Sequence, residues 1–358
     1  MPGRGGLRDR RAFLKMAGVA WLAGLAPRGA FALSRTDAVF ASAYMAPDGS
    51  YGVATVAENG TIIERNPLPA RAHGMTVCPV TGRMVAFARR PGTYAKILSP
   101  QAEPIVITAA EDRHFFGHGC FSADGKLLYA TENDCAGNRG MVGVYDATDG
   151  FSRKGEFPSY GIGPHDMTLS ADGAMVIANG GIETNPDFGR TKLNLDAMEP
   201  SLVLIDTHSG GLIEKHTLPE KLRQLSTRHV DLDAAGRIWF ACQYEGPRND
   251  RPPLIGRFAR GEDLSFVTLP ETVTDSLANY IGAIAVNRHE GLVGVTSPNG
   301  GTAVTLDART GTVLKTETLI DAAGVAAAPH GFAISSYDGK FAGTMSPVAW
   351  DQHIIRIG

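Results

Sequence analysis

The sequence predicts an all-β protein, a β-propeller of seven four-stranded blades, with six blades also compatible. Three observations predict it. The first is the phrase Arg113-His-Phe-Phe-Gly-His118-Gly-Cys-Phe-Ser-Ala-Asp-Gly-Lys-Leu-Leu-Tyr-Ala-Thr-Glu-Asn-Asp134, which reads as strand, tight turn, strand. The second is its recurrence. Weaker copies begin at His73, His165, His229, Ile281 and His330, so successive starts lie 45, 47, 64, 52 and 49 residues apart. A period of about 40–50 residues with four short strands per unit is the signature of a propeller. The third is an absence: no apolar pattern of period 3.6 persists for the ~12 residues a helix needs.

Taken in order, strands at 39–46, 51–58 and 61–67 come first and align with the second, third and fourth strands of a unit. The copy from His73 turns at Pro-Val-Thr-Gly and adds strands at 94–99 and 104–109. The His118 copy closes with 141–145, an Asp-Ala-Thr-Asp-Gly hairpin and 152–157. The His165 copy repeats Ser-Ala-Asp-Gly at 170–173, and an insertion at 180–200 accounts for the 64-residue gap. The His229 copy turns at 233–236, and the Ile281 copy contributes 283–286 and 292–296. The last copy, from His330, reads as the first three strands of its unit. The two ends are therefore expected to meet and close the ring, making 33–358 a single domain.

Composition fits many turns around an ordinary core: 43% hydrophobic residues, 43 glycines and 21 prolines among 358 residues. A net charge of −3 offers no general attraction to nucleic acid or anionic lipid. Arg10-Arg11-Ala12-Phe13-Leu14-Lys15 resembles a twin-arginine export motif, followed by a short apolar run at 16–25 and the small-x-small site Ala30-Phe31-Ala32. Residues 1–32 are accordingly expected to be a signal peptide and the mature chain periplasmic. No segment approaches the ~20 apolar residues of a membrane span. Four cysteines allow three pairings but show no metal spacing. Cys78, Cys120 and Cys242 lie in apolar strand patterns and are expected to be buried free thiols.

The first strand of a propeller blade lines the central channel. His73, His118, His165, His229 and His330 each open such a strand, so five imidazoles are expected round one mouth. Loops after the second strands return to that face carrying Glu132, Asp134, Arg139, Glu183, Arg190, Lys192, Gln243 and Tyr244. Neutral imidazole suits iron, copper, zinc and nickel, and added carboxylate favours iron or zinc over Cu(I). The expected metal set is the five histidines with Glu132 and Glu183, and the expected ion is iron, with copper or zinc as alternatives. His114, Asp134, Arg139, Arg190, Lys192, Arg228, Gln243 and Tyr244 are expected to contact a ligand, the guanidiniums suiting an anion. The bland alternative has each imidazole capping a blade junction. His208, His216, His289 and His353 read as surface residues. The insertion 180–200 is expected to cover the mouth as a lid, with Ile182, Phe188, Leu193, Leu195 and Met198 packing on the rim. No haem motif or nucleotide-binding loop occurs, since Asn299-Gly-Gly301 leads into a strand rather than a helix.

Several phrases carry a family resemblance: Gly117-His-Gly-x-Phe-Ser-x-Asp-Gly, Thr131-Glu-Asn-Asp134, Gly161-Ile-Gly-Pro-His165 and Asn179-Gly-Gly-Ile-Glu183. Lys192-Leu-Asn-Leu-Asp196, Gln224-Leu-Ser-x-Arg-His229, Gln243-Tyr-Glu-Gly-Pro247 and Asn279-Tyr-Ile-Gly282 extend it over nearly all of the mature chain. With these the chain resembles a bacterial family, domain of unknown function 1513. The resemblance implies a periplasmic propeller accessory to iron acquisition, with imelysin-like and di-haem peroxidase-like partners, and implies no established activity. The family pattern has histidine in place of Asn185, so a site using that ligand would be altered here. Two other classes stay open: a metal-dependent hydrolase or redox enzyme acting on an anion, and a scaffold that docks proteins on the loop face.

Overall fold

The computed structural model describes residues 37–100 and 102–358, so the expected signal segment 1–32 lies outside the described residues. Strands follow one another as antiparallel meanders. The chain opens with β1 (Phe40–Met45), β2 (Tyr51–Val56) and β3 (Ile62–Leu68). Blade 2 is β4 (Ala72–Val77), β5 (Met84–Ala88), β6 (Tyr94–Ser99) and β7 (Ala102–Thr108). Blade 3 is β8 (Arg113–Phe121), β9 (Leu127–Asp134), β10 (Arg139–Asp146) and β11 (Ser152–Pro158). Blade 4 is β12 (Pro164–Leu169), β13 (Ala174–Asn179), β14 (Ser201–Asp206) and β15 (Leu212–Thr217). Blade 5 is β16 (Leu225–Leu232), β17 (Ile238–Tyr244), β18 (Ile255–Phe258) and β19 (Ser265–Phe266). Blade 6, after a short helix at Glu271–Ser276, is β20 (Ala283–Asn287), β21 (Leu292–Ser297), β22 (Thr302–Asp307) and β23 (Val313–Thr318). Blade 7 is β24 (Ala322–Ala327), β25 (Phe332–Ser336), β26 (Lys340–Phe341) and β27 (Thr344–Met345). The final strand, β28 (Ala349–Arg356), pairs with β1 from Phe40↔Arg356 to Met45↔Ala349 and completes blade 1.

Seven sheets of four strands result. The ends do close the ring, but the last unit is displaced from its expected register. His330 lies between the first two strands of blade 7 rather than at the head of an innermost one. The C-terminal strand β28 is innermost in blade 1, and blade 7 has its own four strands upstream. The head of that unit, β24, is Ala-Ala-Gly-Val-Ala-Ala and carries neither a histidine nor any other mark of the repeat.

Burial explains the strand order. β13 is buried along its whole length, whereas β15 at the rim alternates between exposed and half-buried. Blades pack face to face through large side chains. Phe87, Phe115 and Tyr145 stack between blades 2 and 3 with centroids 6.0 and 6.1 Å apart. At the closure, Phe341 of blade 7 packs 5.9 Å from Phe40 and 5.0 Å from Trp350 of blade 1. All four cysteines are free; Cys78 and Cys242 are buried as expected, while Cys120 is half-buried.

Candidate metal and ligand site at the channel mouth

The imidazoles reach the channel because the innermost strands are bulged where they sit. Pairing between the first two strands of a blade breaks register at Ala72/Met75, Phe115/Gly119, Pro164/Asp166 and Thr227/His229, and β28 breaks register against β1 between Ser42 and Tyr44. A bulge adds an unpaired residue and re-aims the side chains beside it. His73, His118, His165, His229 and His353 all lie in or beside these breaks. β24 is also bulged, but with Ala323 and Gly324 at that level. β20 pairs with β21 without a break and carries no histidine.

The five rings form one cluster. His118 lies with centroids 5.0 Å from His73, 5.1 Å from His165, 5.6 Å from His229 and 4.6 Å from His353. His73–His353, His165–His229 and His229–His353 are 4.7, 4.8 and 4.8 Å apart. Two trios, His73/His118/His165 and His118/His229/His353, bring their donor nitrogens within 4.8 Å of one another, with His118 common to both.

A carboxylate orients the shared ring. His118 Nδ1 lies 3.1 Å from Asp166 Oδ1, and His229 Nδ1 lies 3.5 Å from Asp166 Oδ2. The bond to Asp166 places the His118 proton on Nδ1 and leaves Nε2 with its lone pair. That Nε2 is buried with no hydrogen-bond partner among the described residues, as is Nε2 of His353. Asp351 Oδ1 is 3.7 Å from His73 Nδ1, too long for a hydrogen bond, and its other oxygen holds Arg71 Nε at 2.6 Å. Burial first, then neighbouring charge, pushes the pKa of His73, His165 and His353 well below the ordinary imidazole value. Burial likewise lowers His229 to about 4. Burial would raise Asp166, but the imidazoles of His118 and His229 outweigh it and hold the carboxyl well below its usual range.

Four of the five expected imidazoles, those of His73, His118, His165 and His229, are therefore together. The fifth in the cluster is His353, which the sequence places among surface residues. His330 sits instead in a turn beside Glu290, at 3.3 Å, with its side chain 93% exposed. That turn joins the first strand of a blade to the second and so belongs to the face opposite the cluster. Glu132 is buried within blade 3, where Tyr145 Oη donates to it at 2.5 Å and Arg153 at 2.9 Å. Glu183 meets Asn194 through its backbone N–H at 2.8 Å, and neither glutamate joins a histidine trio.

Among the expected ligand contacts, Arg139 is engaged by Asp134 at 2.6 Å and Lys192 by Glu245. Tyr244 Oη turns outward to Asp250 at 2.6 Å. His114, second in β8, lines a small cleft with Arg90, Phe116 and Arg190 and belongs to neither histidine trio. Arg228 remains at the mouth, donating to Gln243 and lying 3.5 Å from His165 Nδ1. His208 and His289 are exposed, and His216 packs 4.4 Å from Phe258.

The insertion runs along the cluster's face. It accepts from Asn133 of blade 3 at Thr184 O, 3.4 Å, and from Gln224 at Leu195 O, 3.2 Å. Ile182 and Met198 are buried, but Phe188 and Leu193 are exposed rather than packed on the rim. Asn185, in place of the family's histidine, caps a single 3-10 turn by accepting from Asp187 N at 2.9 Å.

The family model described as "Protein of unknown function (DUF1513)" matches residues 66–357. No curated protein matches the chain. Among solved structures, a chain of Kuenenia stuttgartiensis hydrazine synthase is similar, with a TM-score of 0.60 and 15% identity over 87% of this chain and 94% of that one. A chain of a nidogen/laminin complex is similar with a TM-score of 0.51 and 12% identity, covering 77% of this chain and 92% of that one. At these identities the likeness is one of fold.

Proposed function

The chain belongs to the DUF1513 family, and from that footing we propose that it binds a first-row transition-metal ion in the histidine cluster at the channel mouth. The supporting observation is five imidazoles packed together, with buried nitrogens left without protein partners. Imidazoles held neutral are the form that ligates iron, copper, zinc and nickel. His73, His118, His165, His229 and His353 would hold the ion, and Asp166 would orient His118, as a carboxylate behind a ligating imidazole does. Bound there, the ion would supply Lewis-acid character at the mouth.

Both trios are histidine alone, so no carboxylate ligand favours iron over Cu(I) there. The setting implied by the family resemblance makes iron the first metal to test, with a periplasmic role accessory to its acquisition. Metal analysis of untagged protein beside His118→Ala/His165→Ala decides the reading. Stoichiometric metal in the parent and its loss in the folded double variant are expected. Equal, substoichiometric metal in both would sink it.

A further inference from the structure

Above the imidazoles the mouth gathers arginines from three blades. Arg71 precedes β4, Arg89 and Arg90 follow β5, Arg190 comes from the insertion and Arg228 lies in β16. Only Arg71 is neutralised, by Asp351 at 2.6 Å. Among the described residues no carboxylate pairs with Arg89, Arg90, Arg190 or Arg228. The nearby Glu245 gives one oxygen to Lys192, and its other oxygen is buried without a hydrogen-bond partner among the described residues. Arg228 is 7% exposed and its polar partners, Gln243 and His165, are uncharged or weakly basic. Arg90 is half-buried over the Phe116 ring, 5.6 Å from its centroid.

Clustered, partly buried cations without counter-charge cost stability, because each loses water and repels the others. Burial lowers the pKa of all four, followed by repulsion from neighbouring guanidiniums at Arg89, Arg90 and Arg190, whereas Tyr280 and Glu245 partly offset burial at Arg228; Arg90 feels Arg228, Arg190 and Arg89 in that order. Nothing within the fold requires the arrangement. Planar guanidiniums from different elements converging on one opening match a ligand with several carboxylate or phosphate oxygens.

We propose that Arg89, Arg90, Arg190 and Arg228 form a binding site for a small, multiply charged anion presenting carboxylate or phosphate oxygens, seated over the histidine cluster. The anion site shares the mouth with the proposed metal centre but uses different donors, so metal-free protein tests it alone. Arg190 makes the insertion part of the site. Arg228, beside His165, is the contact between the two.

The test is calorimetric titration of chelator-treated mature protein with citrate and, separately, inorganic phosphate. The comparison variants are Arg90→Gln/Arg190→Gln, Arg190→Gln alone, and Arg251→Gln as a control whose guanidinium already engages Asp275 of the short helix. Binding of at least one anion is expected, weakened about tenfold or more in the double variant and unchanged in the control. The single change at Arg190, which is exposed, keeps the test open should the double variant misfold. Thermal melting without anion is expected to rise in the double variant as repulsion is relieved. Citrate binding alone would identify a carboxylate ligand, and phosphate binding alone a phosphate one. Binding of neither anion, or equal affinity in parent and double variant, would overturn the proposal whatever the metal analysis shows.

Discussion

Glu132 and Glu156 share one network in blade 3, yet their environments drive them in opposite directions. Burial pushes the Glu132 carboxyl up, while Arg113, bonded to both oxygens at 2.6 and 2.9 Å, holds Glu156 down at about 2. The unfolded chain therefore takes up the Glu156 proton first as the pH falls from 4.5 towards 2. The stability this carboxylate contributes is present above that window and lost within it. Glu156→Gln is expected to lower stability at neutral pH by about 1.5–3 kcal/mol and to flatten the acid limb of a stability–pH curve. Denaturant unfolding at several pH values measures both. An unchanged acid limb would contradict the assignment. The same network keeps Glu132 out of the histidine trios: its oxygens are already committed to Tyr145 and Arg153. From the sequence, a glutamate at the end of a second strand looks the same whether it faces the channel or the next strand.

At the scale of the element, the bulge decides the chemistry. Gly74 sits inside the β4 bulge, where an added Cβ would lie 2.4 Å from Gly117 O and 2.5 Å from His118 Nδ1. That nitrogen is the one facing Asp166. Gly74→Ala must therefore displace His118 or the backbone of β8. It is expected to cost about 1–3 kcal/mol as overpacking does and, if the proposed metal centre is correct, to lower metal content as His118→Ala is expected to. Metal content and a melting curve on one sample check both effects. Full metal retention at parental stability would show that the bulge does not hold the site. Four of the five imidazoles were legible in the sequence because repeats keep their order. The bulges were not, since one unpaired residue leaves no mark in a pattern of alternating short strands.

For the whole molecule, closure of the ring is the step on which the site depends. β28 supplies His353 to the cluster and Trp350 to the seam, where its side chain is 1% exposed and its ring meets Phe341 and Tyr44 at 5.0 and 6.2 Å. Trp350→Ala leaves the β1–β28 ladder but empties the seam, and is expected to cost about 3–5 kcal/mol. Urea unfolding reads the loss as a lower midpoint at a similar slope. A loss below ~1 kcal/mol would mean that the backbone ladder alone closes the ring.

Repetition by itself determined the architecture. Copies at nearly even spacing can bury their apolar faces only against one another, which makes a closed ring of blades the expected solution, and histidines at matching positions then share one face. The membership of the site was decided by tertiary structure. His353 joins because the last strand crosses the closure into blade 1, and His330 drops out because the last unit begins at β24. Asp166, Asp351, Arg89 and Arg90 gain their roles from proximity across blades far apart in sequence. Local pattern reports which way a strand alternates. Only ring closure brings those strands to one axis and determines which side chains meet there.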